Sequence, residues 1–267
     1  MAMAKERLDE ALLRLQYADT IELARALVME GRVFQDGVRL DKPAILLKTD
    51  VGLSVKGDRL PYVSRGGLKL EKAMSEFSFD LVGKVCMDVG SSTGGFTDCM
   101  LQKGASHVFA VDVGYGLLDW KLRNDPRVTV MERTNARNLC PEMIDNQLLD
   151  FASMDVSFIS VKTVLPAVET CLKDGAQLAI LVKPQFEARR EQVGKGGIVR
   201  DPEVHREVLR NVISAMPGMH LQPKGLTVSP IKGVGGNTEF LLYLVHTDVS
   251  CPEFDMEDSI QKAMLSA

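Results

Sequence analysis

Val85-Cys86-Met87-Asp88-Val89-Gly90-Ser91-Ser92-Thr93-Gly94-Gly95-Phe96-Thr97-Asp98 is the stretch on which the fold turns. An apolar run of strand length passes into a turn built from three glycines and three hydroxyl residues, and helical spacing follows. Downstream the same rhythm of strand, turn and helix repeats. Further strands are expected at Val128–Met131 and Phe240–His246, and at 107–112, 150–154, 176–183 and 221–228. Strands alternating with helical segments form βαβ units around a mostly parallel sheet. The expected fold class is therefore α/β, with a mostly parallel seven-stranded sheet and a smaller α+β unit ahead of it.

That smaller unit is read from residues 1–58. Leu8, Ala11, Leu12 and Leu15 share one helical face, so a helix is expected over residues 5–17. Asp19 or Thr20 offers an N-cap to a second helix, with Ile21, Ala24, Leu27 and Val28 apolar and Gly31 as its stop. Val33 to Leu40 reads as a hairpin around Asp36-Gly37. Residues 59–82 read as a connector and a first helix, with Gly66-Gly67 as a flexible lead-in and Leu68, Leu70, Ala73, Met74 and Phe77 apolar. Residues 83–247 make the main domain, and 248–267 a tail of loop and short helix. Residues 184–201 are polar and Gly-rich and directly follow a strand end, where open α/β sheets place their sites.

Composition narrows the classes. Hydrophobic residues make up 45% and charged residues 25%, which is globular and not disordered. No apolar run approaches the roughly 18 residues of a spanning helix, and Met1–Glu10 lacks a secretory apolar core, so no membrane role and a cytoplasmic location are expected. Five cysteines without CxxC pairing offer no zinc site, and no metal is expected. Cys86, Cys99 and Cys171 read as core thiols, and the four histidines show no ligand spacing. Net charge is −4. Residues 1–65 hold 11 Lys+Arg against 10 Asp+Glu, so nucleic-acid binding must rest on where charges lie.

The Gly-rich turn has the ordered neighbours of a nucleoside site. Asp112 ends the next strand, where a carboxylate can accept from ribose hydroxyls, and Asn135-Ala136 follows the strand after that, where a base edge can be met. The spacing GSSTGG is not the GxGxxG of a dinucleotide fold. Asp88 beside the turn suits a cationic moiety better than a pyrophosphate. The expected cofactor is S-adenosylmethionine (SAM), with an ammonium and a sulfonium. Its candidate contacts are Asp88, Gly90, Ser91, Ser92, Thr93, Gly94, Gly95, Phe96, Thr97, Asp112, Val113, Asn135, Ala136 and Asp155. Tyr115 and Trp120, near Asp112, pack either on the cofactor or on the core.

Four charged residues stand at positions that chemistry would choose. Lys69 follows Gly66-Gly67, Asp155 ends the fourth strand, Lys183 ends the fifth just before a proline, and Glu239 begins the last. Two lysines and two carboxylates on one sheet edge can take a proton from a poor nucleophile such as a ribose 2′-hydroxyl. A second lysine should lower a lysine pKa, while the carboxylates oppose that shift. No Asn/Asp-Pro-Pro-aromatic run follows the fourth strand, and no cysteine stands in a nucleophile position, so base methylation is disfavoured.

VSRGGLKL, DVGSSTGGFTD, AVDVGYG with WKLRNDPRV, ERTNAR, DVSFIS, LVKPQFE and VGKGGIVRD together resemble the TlyA/hemolysin A family of ribosomal RNA 2′-O-ribose methyltransferases. The resemblance spans nearly the whole chain. It implies an N-terminal S4-like RNA-binding domain joined to a Rossmann-like, FtsJ-like SAM-dependent methyltransferase domain. It also implies a Lys-Asp-Lys-Glu tetrad at Lys69, Asp155, Lys183 and Glu239, and cytidine in 16S and/or 23S rRNA as target. Ribosomal RNA or ribosomal subunits are then the expected partners, with no obligate protein partner evident. Arg7, Arg14, Arg25, Arg32, Arg39, Lys42 and Arg65 become candidates for RNA contacts, of the phosphate kind that position without specifying sequence. Leu117 and Arg189 depart from the family's pattern, where Gln and Gly are usual. Two other readings stay open: a membrane-lytic hemolysin, and a non-catalytic RNA-binding factor in ribosome assembly.

Overall fold

A computed structural model of the chain describes residues 5–15, 17–18, 20–48, 52–56, 61–249 and 254–267. The chain divides into two compact units, Met1–Ser64 and Arg65–Ala267. The expected cap Asp19 and the expected boundary at residue 58 lie outside the described residues.

The first unit contains β1 (Lys5–Arg7), α1 (Leu8–Arg14), α2 (Ile21–Met29), β2 (Val33–Gln35), β3 (Val38–Arg39), β4 (Leu46–Lys48) and β5 (Leu53–Val55). The single helix expected over 5–17 is corrected at both ends. Lys5–Arg7 pairs antiparallel with Leu46–Lys48, and α1 stops at Arg14, which leaves Leu15 exposed. Long-range strand pairing overrides helical spacing there. Thr20 caps α2 by accepting from the Leu23 N–H at 3.1 Å. β2 and β3 form the expected hairpin, with Asp36 (φ 48°) and Gly37 (φ 81°) in the left-handed region that such a turn requires. Leu8, Leu12, Ala24, Leu27, Val28 and Val33 lie at the centre of the unit's apolar core.

The second unit runs α3 (Gly66–Phe77), β6 (Val85–Val89), α4 (Gly95–Gln102), β7 (His107–Val111), α5 (Trp120–Arg123), β8 (Val128–Met131), β9 (Leu149–Met154), α6 (Val161–Glu169), β10 (Leu172–Val182), α7 (Pro184–Glu187), α8 (Pro202–Ala215), β11 (Leu221–Val228), β12 (Phe240–His246) and α9 (Met256–Leu265). Its seven strands are ordered β11-β12-β10-β9-β6-β7-β8. β10, β9, β6, β7 and β8 are parallel, and β12 runs antiparallel between β10 and β11. Interior positions of β6, β7, β9 and β12 are almost wholly buried, as strands covered on both faces must be, whereas β8 at the sheet edge is at most half-buried. Gly66 and Gly67 are not a lead-in but the first turn of α3, with Gly67 buried. α9 buries Ile260 and Ala263 in the main core, so the tail's helix is part of this unit's packing.

Two features of this topology position the site. From β6 the chain proceeds outward to β7 and β8, then returns to build β9 and β10 on β6's other side. The reversal opens a crevice at the carboxyl ends of β6 and β9. β12, being antiparallel, begins at the edge where β9 and β10 end. Phe77 and Phe79 stack on Tyr243 of β12, with ring centroids 5.3 and 5.2 Å apart, and so anchor the end of α3 to the sheet.

Candidate active site

The chain crosses the sheet edge three times with a charged residue beside a strand end. Asp155 follows β9, Lys183 follows β10, and Glu239 precedes β12. The fourth, Lys69, comes from the first turns of α3. The structure brings all four together. Lys69 Nζ donates to Glu239 Oε2 at 2.8 Å and to Asp155 Oδ2 at 3.2 Å. Lys183 Nζ lies 2.5 Å from Asp155 Oδ1. Asp155 is thus the hub, with one oxygen toward each lysine.

The two lysines differ. For Lys69, burial works against the charge, but Asp155 and Glu239 more than offset it and hold its pKa above the ordinary lysine value. The expected opposition of the carboxylates to a lowered lysine pKa thus prevails at Lys69. Asp155 is itself nearly enclosed. Burial favours its protonated form, yet Lys69 and Lys183 together keep its carboxyl below the usual range. Lys183 has one carboxylate and one neutral partner, donating to Ser157 Oγ at 3.0 Å.

Sequence reasoning missed several supporting residues. Ser157 lies two positions beyond Asp155, in a run already singled out, and its hydroxyl was the available signal. Gly233 could not be found from sequence. A Cβ there would lie 2.2 Å from Glu239 Oε1, so only glycine leaves that carboxylate its place. Glu187 accepts from Ser160 Oγ and the Val161 N–H, both at 2.7 Å, and so ties α7, which follows Lys183, to the loop that carries Asp155 and Ser157. Phe158 is 91% exposed, with φ at 64°, and its ring packs against Phe186 beside Lys183.

The Gly-rich turn adjoins this cluster. Gly90 has φ at 85°, and a Cβ there would stand 2.6 Å from the Asp155 carbonyl oxygen. The turn and the cluster therefore meet backbone to backbone, at the topological reversal. Ser92 and Thr93 are exposed on the turn, while Ser91, Gly94, Gly95, Phe96 and Thr97 are buried and seat α4. Asp112 accepts from the Ser92 N–H at 2.8 Å and the Gly114 N–H at 2.7 Å, and remains partly exposed. Asn135 Oδ1 accepts from the Arg137 N–H at 3.1 Å. Its amide nitrogen has no partner among the described residues, and Ala136 beside it is half-buried.

Asp88 departs from expectation. It lies buried beneath the turn, where it accepts from the Thr97 N–H (2.9 Å), Thr97 Oγ1 (2.7 Å) and Ser153 Oγ (3.0 Å). Burial pushes its carboxyl up to about 6. The α4 amide and two hydroxyls take the place of a ligand's cation, so Asp88 braces the turn from below. Val113, Tyr115 and Trp120 are all exposed, and the Arg133 guanidinium lies 4.3 Å over the Tyr115 ring, so Tyr115 and Trp120 do not pack in the core.

The RNA-contact candidates are scattered and mostly paired. Arg7 and Arg25 bind Asp9, and Arg14 pairs with Glu6. Arg32 donates to the Lys56 carbonyl at 2.9 Å. Arg39 is exposed with its guanidinium against Gly31, and Lys42 is exposed. Arg65 belongs to the second unit, where it precedes α3. Among the described residues no helix is long and apolar enough to cross a membrane.

Comparison with known proteins agrees with this architecture. Residues 62–246 match the FtsJ-like methyltransferase family, and residues 6–51 the S4 domain. YqxC of Bacillus subtilis, provisionally named an rRNA methyltransferase, is 53% identical over 91% of this chain and 87% of its own. The 16S/23S rRNA (cytidine-2′-O)-methyltransferase TlyA of Mycobacterium tuberculosis is 42% identical over 97% of both chains. A solved structure from Streptococcus thermophilus, provisionally described as a hemolysin, superposes with a TM-score of 0.79 at 46% identity, covering 99% of this chain and 96% of that one. With both domain matches in sequence order and relatives this similar along nearly their whole length, the chain belongs to the TlyA/hemolysin A family of S4-linked, FtsJ-like methyltransferases.

Proposed function

We propose that this protein transfers a methyl group from SAM to a ribose 2′-hydroxyl of ribosomal RNA, with cytidine in 16S and/or 23S rRNA as the target. One observation carries the reading: the Lys69–Asp155–Lys183–Glu239 cluster at the sheet edge, in backbone contact with the Gly-rich turn.

The residues of the turn fit the cofactor. Gly90 keeps the backbone accessible, Ser92 and Thr93 are exposed beside it, Asp112 keeps carboxylate acceptors partly open for ribose hydroxyls, and the Asn135 amide is free to donate to a base edge. When bound, SAM supplies an electrophilic methyl carbon on a positively charged sulfur.

The chain's own groups do the rest. Lys183 Nζ receives the 2′-proton as the oxygen attacks, the task of a positioned general base. Ser157 and Asp155 hold that nitrogen in place from two sides. Lys69 stays protonated between its two carboxylates and fixes the orientation of Asp155. Lys69, Asp155 and Glu239 together carry a net negative charge, which complements a positive sulfur. The displacement then needs little beyond position and electrostatics.

Digestion of ribosomal subunits after incubation with labelled SAM, followed by nucleoside chromatography, tests the reading. The expected product is labelled 2′-O-methylcytidine. Label confined to a methylated base, or no transfer to either subunit, contradicts it.

A further inference from the structure

The first unit contains a cluster that methyl transfer does not use. Asp9, in the first turn of α1, is completely buried. Its Oδ1 accepts from Arg7 Nε at 2.9 Å and the Glu10 N–H at 3.1 Å. Its Oδ2 accepts from Arg7 Nη2 at 2.8 Å and Arg25 Nε at 2.9 Å. A carboxylate offers about four acceptor positions, and here each is filled. The two guanidinium groups are neighbours across one oxygen, yet their side chains remain 39% and 49% exposed. Arg7 Nη1 and both Nη atoms of Arg25 have no partner among the described residues.

We propose that Arg7 and Arg25, held side by side on Asp9, form a clamp for one phosphate of the RNA backbone, with Asp9 as its positioning residue. The proposal rests on the RNA reading above and gives it a specific docking point.

Three physical arguments support it. Burying an ion pair contributes little net stability compared with apolar packing, so stability alone does not account for Asp9. A guanidinium already fixed through one edge loses less freedom when its other edge binds an anion. Finally, residues 1–65 carry nearly balanced charge, with 11 Lys+Arg against 10 Asp+Glu, so bulk attraction is weak and placement has to supply the affinity. The Asp9 carboxyl is held well below the usual range by Arg7 and Arg25, so the hub stays charged across the working pH.

Asp9→Asn separates the clamp from bulk electrostatics, because it makes the unit more positive while loosening both arginines. Binding of the full chain to purified ribosomal subunits is measured over a series of KCl concentrations, with SAM binding and thermal unfolding as checks on the fold. The clamp predicts weaker binding for Asp9→Asn by about three- to tenfold, and a salt slope shallower by about one phosphate contact. Arg7→Lys and Arg25→Lys keep the charge but lose the fork, and are expected to bind about threefold more weakly or worse. They decide the matter should Asp9→Asn not fold. Folded Asp9→Asn that binds as tightly as wild type or tighter, or lysine variants that bind normally, overturn the clamp. Wild-type protein that binds neither subunit overturns the RNA reading itself.

Discussion

Asp9 in the first unit and Asp155 in the second each bridge two cations, but with different partners and in different surroundings. Asp9 holds two arginines whose outer faces stay about half exposed. Asp155 holds two lysines that are each only 10% exposed, with Glu239 balancing the second positive charge. Arginine cannot give up its proton in a protein, so the first cluster can only present fixed charge. Lysine can, so the second cluster can take part in proton transfer. One motif, a carboxylate between two cations, thus presents fixed charge where the cations are arginines facing water, and groups able to exchange a proton where they are enclosed lysines.

Exchanging the cation types is the strongest way to break this contrast. Lys183→Arg preserves the charge beside Asp155 but cannot accept the 2′-proton. Methyl transfer under single-turnover conditions is expected to fall by about a thousandfold, with subunit affinity within about twofold of wild type. Gly90→Ala attacks the junction instead. Its φ of 85° and the 2.6 Å approach to the Asp155 carbonyl leave no room for a methyl group. Calorimetry is expected to show SAM affinity reduced at least about tenfold, with roughly 2–4 kcal/mol of stability lost.

A smaller effect should follow from Gly233→Ala. Gly233 has an ordinary φ of −74°, so the backbone tolerates alanine and the strain falls on Glu239. The Glu239 carboxylate is expected to leave Lys69, with kcat down about tenfold and thermal unfolding nearly unchanged. A normal kcat here would mean that Glu239 does not need its present position.

The last expected effect, on stability and not on catalysis, contrasts Asp88 with Asp155. Asp88 has a folded pKa raised to about 6 from 3.8. Its protonated form is favoured in the fold, so its contribution to stability is greatest below pH 4, declines as pH rises from 4 to 6, and is constant above. Asp155 has the opposite sign: its lowered pKa stabilises the fold above the unfolded value, and that stability is lost on acidification. Asp88→Asn should remove a decline on the order of 2–3 kcal/mol from the stability profile between pH 4 and 6. A profile identical to wild type would show that burial does not perturb Asp88.

Much of this was legible in the sequence because the sheet writes its own punctuation. Each parallel strand is an apolar run closed by a turn, and Asp155 and Lys183 stand beside strand ends, so the edge they share follows from topology. Where polar residues interrupt a strand, the reading slipped. β10 begins at Leu172 and not at Ala176, because Gly175 (φ 79°) accompanies a register shift against β9 that hides the continuity. Lys5–Arg7 looked helical because its strand partner lies about forty residues away. In the site, charged residues announced themselves, while Gly233 and Ser157 act only through distances that no local pattern encodes. Sequence alone offers the arginines of the first unit as separate candidates for RNA phosphate contacts. The attachment of Arg7 and Arg25 to one carboxylate is a tertiary feature, because Arg25 lies sixteen residues beyond Asp9 and folds back onto it.

The central claim is that Lys183 takes the proton from the ribose hydroxyl while the rest of the cluster holds it in place. Methyl transfer from tritiated SAM to ribosomal subunits by Lys183→Ala, with SAM binding measured in the same preparation, tests it most directly. The account predicts normal SAM binding with transfer lost. Full transfer by that variant would contradict it.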